Sequence, residues 1–263
     1  MRRTGELIGI TLVTILLGCG GGGNQQQAAK EQPAGEGSQQ QTQMQATAPA
    51  GSASISGTVK FVGTPPRRRP LRLDRECAVL HEEKVYSQDA VVNEDGALKW
   101  VFVYIKEGIS QNFPPPSEPV VFDQRGCMYD PHVFGIQVGQ TLKILNSDPL
   151  LHNIHALPKL NRPFNFGMPN KGDVRERKFT KPEVMVRIKC DVHPWMSAYC
   201  GVLPHPYFSV TGDDGRFSIQ NLPAGQYVVE AWHEKFGTQT ATVTVGDGES
   251  KTVDFTFGQA ASE

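Results

Sequence analysis

The chain has no excess of charge of either sign, and beyond residue 53 it has no sustained pattern of an amphipathic helix. Its 26 Lys and Arg residues balance 27 Asp and Glu residues, for a net charge of −1 at pH 7. The chain has no overall positive charge that would attract nucleic acid, so we expect no nucleic-acid partner. Short alternating runs between Gly, Pro, Asn and Asp recur instead of helical spacing, and they predict an all-β fold. The polar, Gly- and Pro-rich stretch 161–178 predicts a long excursion between strands.

The N-terminus has an apolar run that is too short to remain in a membrane as a spanning helix. Two arginines and then the run from Leu7 to Leu17 are typical of a signal peptide. Leu16-Leu17-Gly18-Cys19 resembles the bacterial lipobox, which implies that Cys19 carries lipid. We therefore predict a lipoprotein signal peptide and lipobox in 1–19 and a disordered tether in the Gly- and Gln-rich residues 20–53. This organisation predicts an exported bacterial lipoprotein of the periplasm or cell envelope, anchored to a membrane.

Cys190, His193 and Met196 place a thiol, an imidazole and a thioether at three-residue intervals. They follow a segment in which Val186 and Ile188 alternate with charged residues, so the Cys190 side chain should point into a core. A trigonal site of one Cys and two His with a distant Met is a copper site, and it needs one more histidine. Zinc is the rival metal, but Met is not one of its usual ligands.

The segment 146–155 supplies that histidine. Together with the segment that contains Cys190, His193 and Met196, it resembles a known family. It contains His152, Asn153 and His155. The two segments are similar to those of the cupredoxins, above all the amicyanin and plastocyanin-like members with a short Cys-x-x-His-x-x-Met loop. The resemblance implies one type 1 copper ion, with the ligands His152, Cys190, His193 and Met196. It also implies that Asn153 helps to hold the ligand loops together; a plain turn residue is the alternative.

Three cysteines remain after the lipid and copper candidates, and an exported protein is expected to pair cysteines where it can. Cys77 and Cys127 both lie in polar, turn-like segments, so we favour a disulfide between them. Ala198, Cys200 and Val202 alternate with Tyr199 and Gly201, so Cys200 is predicted to be a small buried residue. A Cys127–Cys200 bridge is the alternative.

The C-terminal region resembles a second family. Asp213-Asp214-Gly215 and Pro223-Ala224-Gly225 are turn signals before alternating strands, and they resemble turns of the carboxypeptidase regulatory-like domain, a transthyretin-like β-sandwich. The Gly-x-Val strand that usually opens such domains occurs far upstream. We therefore predict a split sandwich with N-terminal β-strands in 54–110 and its remainder in 206–258, and a cupredoxin Greek-key β-sandwich inserted at 111–205. Residues 54–110 could equally add strands to the copper domain.

Four protein ligands would leave a bound metal no open position for a substrate, which favours one-electron transfer over catalysis. The leading hypothesis is a membrane-anchored type 1 (blue) copper protein, not an enzyme, that carries single electrons between redox protein partners outside the cytoplasm. Two alternatives stay open: a copper-binding sequestration or delivery protein, and an adhesion or carbohydrate-binding β-sandwich module.

Two features bear on how a redox partner could dock. The apolar neighbours of Trp195 predict a small apolar surface near His193. Arg67-Arg68-Arg69, with Arg72 and Arg75, is a local basic run. Such a run is usually a solvated loop, and a docking patch for an acidic partner is the alternative.

Overall fold

Strands dominate the part of the chain that the structure, a computed structural model, describes, which is residues 51–258. The strands are β1 (Ala53–Val62), β2 (Phe102–Glu107), β3 (Val120–Arg125), β4 (Met128–Asp130), β5 (Val133–Gln137), β6 (Leu142–Asn146), β7 (His152–Leu157), β8 (Phe164–Met168), β9 (Val174–Arg177), β10 (Glu183–Lys189), β11 (Ser197–Leu203), β12 (Phe208–Val210), β13 (Arg216–Leu222), β14 (Gly225–His233), β15 (Gly237–Val245), β16 (Ser250–Thr252) and β17 (Phe255–Gly258). One helical turn, α1 (Arg75–Ala78), lies between β1 and β2. The prediction of an all-β fold is confirmed.

The N-terminal predictions concern residues outside this range. The signal peptide, Cys19 and residues 20–50 of the tether all precede the described part of the chain. Within residues 51–258, no helix has the length and apolar character needed to cross a bilayer.

The first β-sandwich is built from both ends of the described chain. One sheet has the order β13-β1-β16, with β17 also paired to β1, and the other has the order β12-β2-β14-β15. Their facing side chains form one core that includes Ile55, Ile105 and Val229. The first four residues of β2 are all buried, and the strand lies between β12 and β14. A continuous apolar run is typical of such a strand.

The second β-sandwich consists of β3 to β11. Its sheets have the orders β4-β3-β6-β9 and β5-β11-β10-β7-β8. Phe122, Ile144 and Ile188 are among the side chains of its core, which also contains Cys77 from the segment between β1 and β2. That segment therefore passes from the first sandwich to the second and back, so the predicted unit 54–110 contributes residues to both cores.

Two paired glycines allow the sandwiches to approach closely. Gly135 of β5 and Gly201 of β11 are partners in the sheet register. A Cβ atom at Gly201 would lie 2.4 Å from the ring of Phe102, and one at Gly135 would lie 2.2 Å from the ring of Phe208. The two rings, from β2 and β12, stack at 5.5 Å. Any side chain at either glycine would displace this aromatic contact.

The excursion predicted for residues 161–178 is wrong in part, because this stretch contains β8 and β9. They pair with β7 and β6, and each lies at the edge of its sheet. Edge strands tolerate polar and charged side chains because one side meets solvent. Charged side chains hid β9 from the local pattern, whereas Phe164, Phe166 and Met168 of β8 do alternate with Asn165 and Gly167, and the signal was overlooked in a polar, Gly- and Pro-rich stretch.

Candidate metal centre

The four side chains singled out in the sequence lie at one end of the second sandwich. His152 is the first residue of β7, Cys190 directly follows β10, and His193 and Met196 lie in the loop that leads into β11. His152 and Met196 are 0% exposed, Cys190 is 2% exposed and His193 is 5% exposed. The loop closes on itself, because the amide of Met196 donates to the carbonyl of His193 at 3.0 Å and the amide of Cys190 donates to the carbonyl of Met196 at 3.2 Å.

Three potential ligand atoms converge at this point. The ligand atoms of His152, Cys190 and His193 lie within 4.8 Å of one another. The Nδ1 atoms of the two histidines are 2.9 Å apart, and Nδ1 of His193 lies 3.9 Å from Sγ of Cys190. Met196 belongs to the same buried cluster as Cys190.

This donor set fits copper. Metal bonds of about 2.1 Å to nitrogen and about 2.3 Å to sulfur can bridge donor atoms that are up to about 4.4 Å apart. The separations of 2.9 Å between the two histidines and 3.9 Å between His193 and Cys190 lie within this reach, and all three donor atoms lie within 4.8 Å of one another. A thiolate and a thioether beside two imidazoles favour copper over the harder metals.

Asp148 orients His152, and reasoning from the sequence missed it. Its Oδ2 lies 2.9 Å from Nε2 of His152. The carboxylate also accepts the amide protons of Gly126 and Cys127, each at 2.8 Å. A carboxylate partner keeps the imidazole proton on Nε2, which leaves the Nδ1 lone pair free for a metal. The signal in the sequence that could have identified Asp148 was its position four residues before the candidate ligand His152.

Burial and hydrogen bonding have opposite effects on the pKa values of His152 and Cys190. Burial would lower the pKa of His152, but the hydrogen bonds to Asp148 and Cys190, together with the negative charges of both groups, outweigh it and the pKa rises to about 8. Burial would raise the pKa of Cys190, but hydrogen bonds from His152 and from nearby backbone amides outweigh it and the pKa is lowered. Burial, reinforced by the charge of His152, lowers the pKa of His193. The cluster thus favours a thiolate at Cys190.

Asn153 joins two strands to the ligand loop. Its side-chain oxygen accepts the backbone amide of Asp191, and its Nδ2 donates to the side chains of Asn165 (2.7 Å) and Asp191 (3.3 Å). Hydrogen bonds to Lys189, His155 and Asn165 hold the pKa of Asp191 well below its usual range. These contacts hold β7, β8 and the residue after Cys190 in one arrangement.

The segment around α1 covers the outer edge of His193. Asp74 caps α1 by accepting the amide proton of Cys77 at 2.8 Å, and its Oδ2 lies 3.5 Å from Nε2 of His193. This segment covers the imidazole of His193. Val192, its neighbour in sequence, is 46% exposed, and the small apolar surface expected near His193 stays a prediction. No local sequence pattern predicts this contact, because Asp74 and His193 are far apart in the chain.

A disulfide fastens this cover to the second sandwich. Cys77 and Cys127 are bonded, with their Cα atoms 5.7 Å apart, and Cys200 is free and buried. The alternative Cys127–Cys200 bridge is not formed. Trp195 donates from Nε1 to the carbonyl of Cys127 at 3.0 Å, and its ring centre lies 5.2 Å from that of His193. The disulfide, Trp195 and α1 together enclose this side of the candidate centre.

Comparison with known proteins finds one family in the C-terminal region. A model of the carboxypeptidase regulatory-like domain matches residues 205–258. This range holds β12 to β17, so the resemblance inferred from the turns is confirmed. No curated protein matches the chain.

Solved structures similar to this chain include several copper proteins. A Cu(I) structure of an amicyanin mutant is 21% identical and aligns over 32% of this chain and 81% of its own, with a TM-score of 0.29. A purple cupredoxin from Nitrosopumilus maritimus is 29% identical over 28% of this chain and 81% of its own, with a TM-score of 0.24. A copper-containing nitrite reductase from Thermus scotoductus SA-01 is 19% identical over 56% of this chain and 28% of its own, with a TM-score of 0.30. Scores this low are weak likenesses.

Proposed function

We propose that this chain is an exported, lipid-anchored copper protein that carries single electrons between redox proteins outside the cytoplasm. The observation that carries the proposal is the convergence of His152, Cys190 and His193 in a buried cluster that also contains Met196. Bound copper would supply a one-electron couple at this point.

The enclosure of the site supports transfer of electrons rather than catalysis. All four candidate ligands are at most 5% exposed, so a substrate would have to displace protein to reach the metal. An electron needs no such opening. The Asn153 contacts, the Asp148 hydrogen bonds and the covering segment would keep the ligands in one geometry in both oxidation states. A carrier needs this, because a change of geometry slows each transfer.

Two sets of cysteines support the proposed location. Cys19 would carry the lipid that anchors the protein. The disulfide between Cys77 and Cys127 supports an oxidising compartment outside the cytoplasm.

Asp148→Asn should weaken copper binding about 10-fold to 100-fold, the usual effect of losing a partner of a ligand histidine. An amide NH₂ facing Nε2 of His152 would move the ring proton to Nδ1 and block the metal-binding lone pair. The measurement is a competition titration against a copper chelator of known affinity. Asp254→Asn is the matched control, because Asp254 also accepts a backbone amide proton, from Thr58 at 2.7 Å, but lies in the first sandwich. Unchanged affinity in Asp148→Asn would show that Asp148 does not set the tautomer.

Voltammetry of the copper-loaded protein tests the carrier function, with Met196→Gln as the informative variant. The wild type should show a reversible one-electron wave and lose no copper to a Cu(I) chelator. Met196→Gln should lower the reduction potential with copper still stoichiometric, because an oxygen ligand favours Cu(II) over Cu(I). Met185→Gln is the control, since Met185 packs between the sandwiches. Rapid, acceptor-stimulated loss of copper from the wild type would instead indicate a delivery protein.

A further inference from the structure

The basic run at residues 67–76 lies beside the candidate copper loop. It holds five arginines, all exposed, and two acidic residues, so it has an excess of three positive charges. Asp74, within this run, contacts His193 at 3.5 Å. This contact places the run, with its excess of positive charge, beside the centre, although the whole chain has a net charge of −1.

A groove joins this run to the ligand loop. It has a volume of about 580 Å³, and Arg69, Arg72 and Arg187 line it together with Pro194 and Trp195. Pro194 and Trp195 lie between the candidate ligands His193 and Met196 in sequence. An occupant of this groove would contact the ligand loop directly.

The acidic side chains of the same groove already have partners. Asp89 lies 3.2 Å from Nζ of Lys235 and 3.5 Å from Arg69, and Glu234 pairs with His132. Among the described residues, no carboxylate lies within ion-pair distance of Arg72 or Arg187. These two guanidinium groups are exposed, so they are free to bind carboxylates of another molecule.

We propose that the basic rim formed by Arg69, Arg72 and Arg187 is the docking surface for an acidic redox protein. The proposal rests on the function proposed above. Because the covering segment and Trp195 enclose His193, a partner that approaches this side meets the rim first. Lipid headgroups could neutralise the same arginines, but they neither accept nor supply an electron. An acidic protein satisfies both the charge and the proposed chemistry.

Charged redox reagents test the field at the rim. The full chain, copper-loaded and reduced, is mixed in a stopped-flow instrument with hexacyanoferrate(III), and separately with the cation tris(1,10-phenanthroline)cobalt(III). One electron passes from the protein to each reagent, reducing Fe(III) to Fe(II) or Co(III) to Co(II). At low ionic strength, Arg72→Glu and Arg187→Glu should each lower the rate of oxidation by hexacyanoferrate(III) by about 3-fold to 10-fold. Each should raise the rate of oxidation by the cobalt cation. In about 0.5 M salt, the rates of the variants and the wild type should be equal.

Arg216→Glu is the matched control, because it makes the same change in net charge on an exposed residue of β13 in the first sandwich. It should alter neither rate by more than about 2-fold. Equal effects of Arg72→Glu and Arg216→Glu would mean that net charge matters and the rim does not. That result, with the visible copper spectrum intact, would overturn the docking proposal alone. A wild type without a redox-active copper signal would overturn the proposed function, and the docking proposal with it.

Polyglutamate serves as a probe for an acidic protein surface. It should compete with hexacyanoferrate(III) for the wild type at low salt, and much less for Arg72→Glu. Phosphatidylglycerol vesicles are the comparison, with the anchored protein held in phosphatidylcholine nanodiscs. Failure of polyglutamate to compete would overturn the proposal. Competition by the vesicles alone, if it depends on Arg72, would also overturn it, because it would assign the rim to a membrane.

Discussion

Cys190→Ser should abolish the visible colour of the copper-loaded protein. A Cu(II)–thiolate bond gives an intense charge-transfer band, and Cys190 is the thiol that lies 3.9 Å from Nδ1 of His193. A serine hydroxyl is a poor copper ligand at neutral pH, so copper affinity should also fall by several orders of magnitude. Absorption and EPR spectra of purified protein after copper loading provide the measurement.

Cys200→Ser is the matched control for this experiment. Cys200 is also a free, buried cysteine, ten residues further along the chain on β11. Burial raises its pKa well above the ordinary value, so it should remain a thiol. The control should keep the colour while losing some stability, because it buries a hydroxyl. A wild type that stays colourless and holds stoichiometric zinc after exposure to copper would refute the copper assignment.

Replacing both Cys77 and Cys127 with alanine should lower the free energy of unfolding by about 2–5 kcal/mol. The bonded cysteines are 50 residues apart in sequence, and closing a loop of that length accounts for about 4 kcal/mol on the chain-entropy model. Urea unfolding followed by Trp fluorescence gives the difference. We expect the copper colour to persist, since neither cysteine is among the four candidate ligands.

Cys200→Ala controls for the loss of a buried sulfur without loss of a cross-link. Its cost should be clearly smaller than that of the double variant, because one small side chain is truncated and no loop is opened. A double variant within about 1 kcal/mol of the wild type would mean that packing of α1, and not the disulfide, holds the covering segment in place.

Local chemistry predicted much of the candidate centre because its ligands are nearly contiguous. Cys190, His193 and Met196 lie within seven residues, and one turn after a strand brings them to the same place. His152 could be added because its own segment resembles the partner segment of a known family. Asn153 hydrogen-bonds to Asp191, the residue after Cys190, and its role at a metal centre stays a prediction.

The contacts that the sequence did not reveal are those between segments with no local relation. Asp148 orients His152 through a side-chain hydrogen bond, while its other partners, Gly126 and Cys127, come from the β3–β4 turn. The strand β9 was missed because its polar residues at a sheet edge carry little periodic signal, and β8 was missed although its phenylalanines alternate with polar residues.

By itself, the sequence determined that the protein is all-β, that a carboxypeptidase regulatory-like domain lies near its C-terminus, and which side chains could bind copper. These are properties of strand alternation, turn residues and short ligand spacing, all of which act over a few residues. Only the tertiary structure decided that α1 covers His193 and that Arg72 and Arg187 share a groove with Trp195. Those arrangements depend on how the segment between β1 and β2 crosses from one sandwich to the other. Packing and a disulfide between distant positions direct that crossing, and no local pattern encodes it.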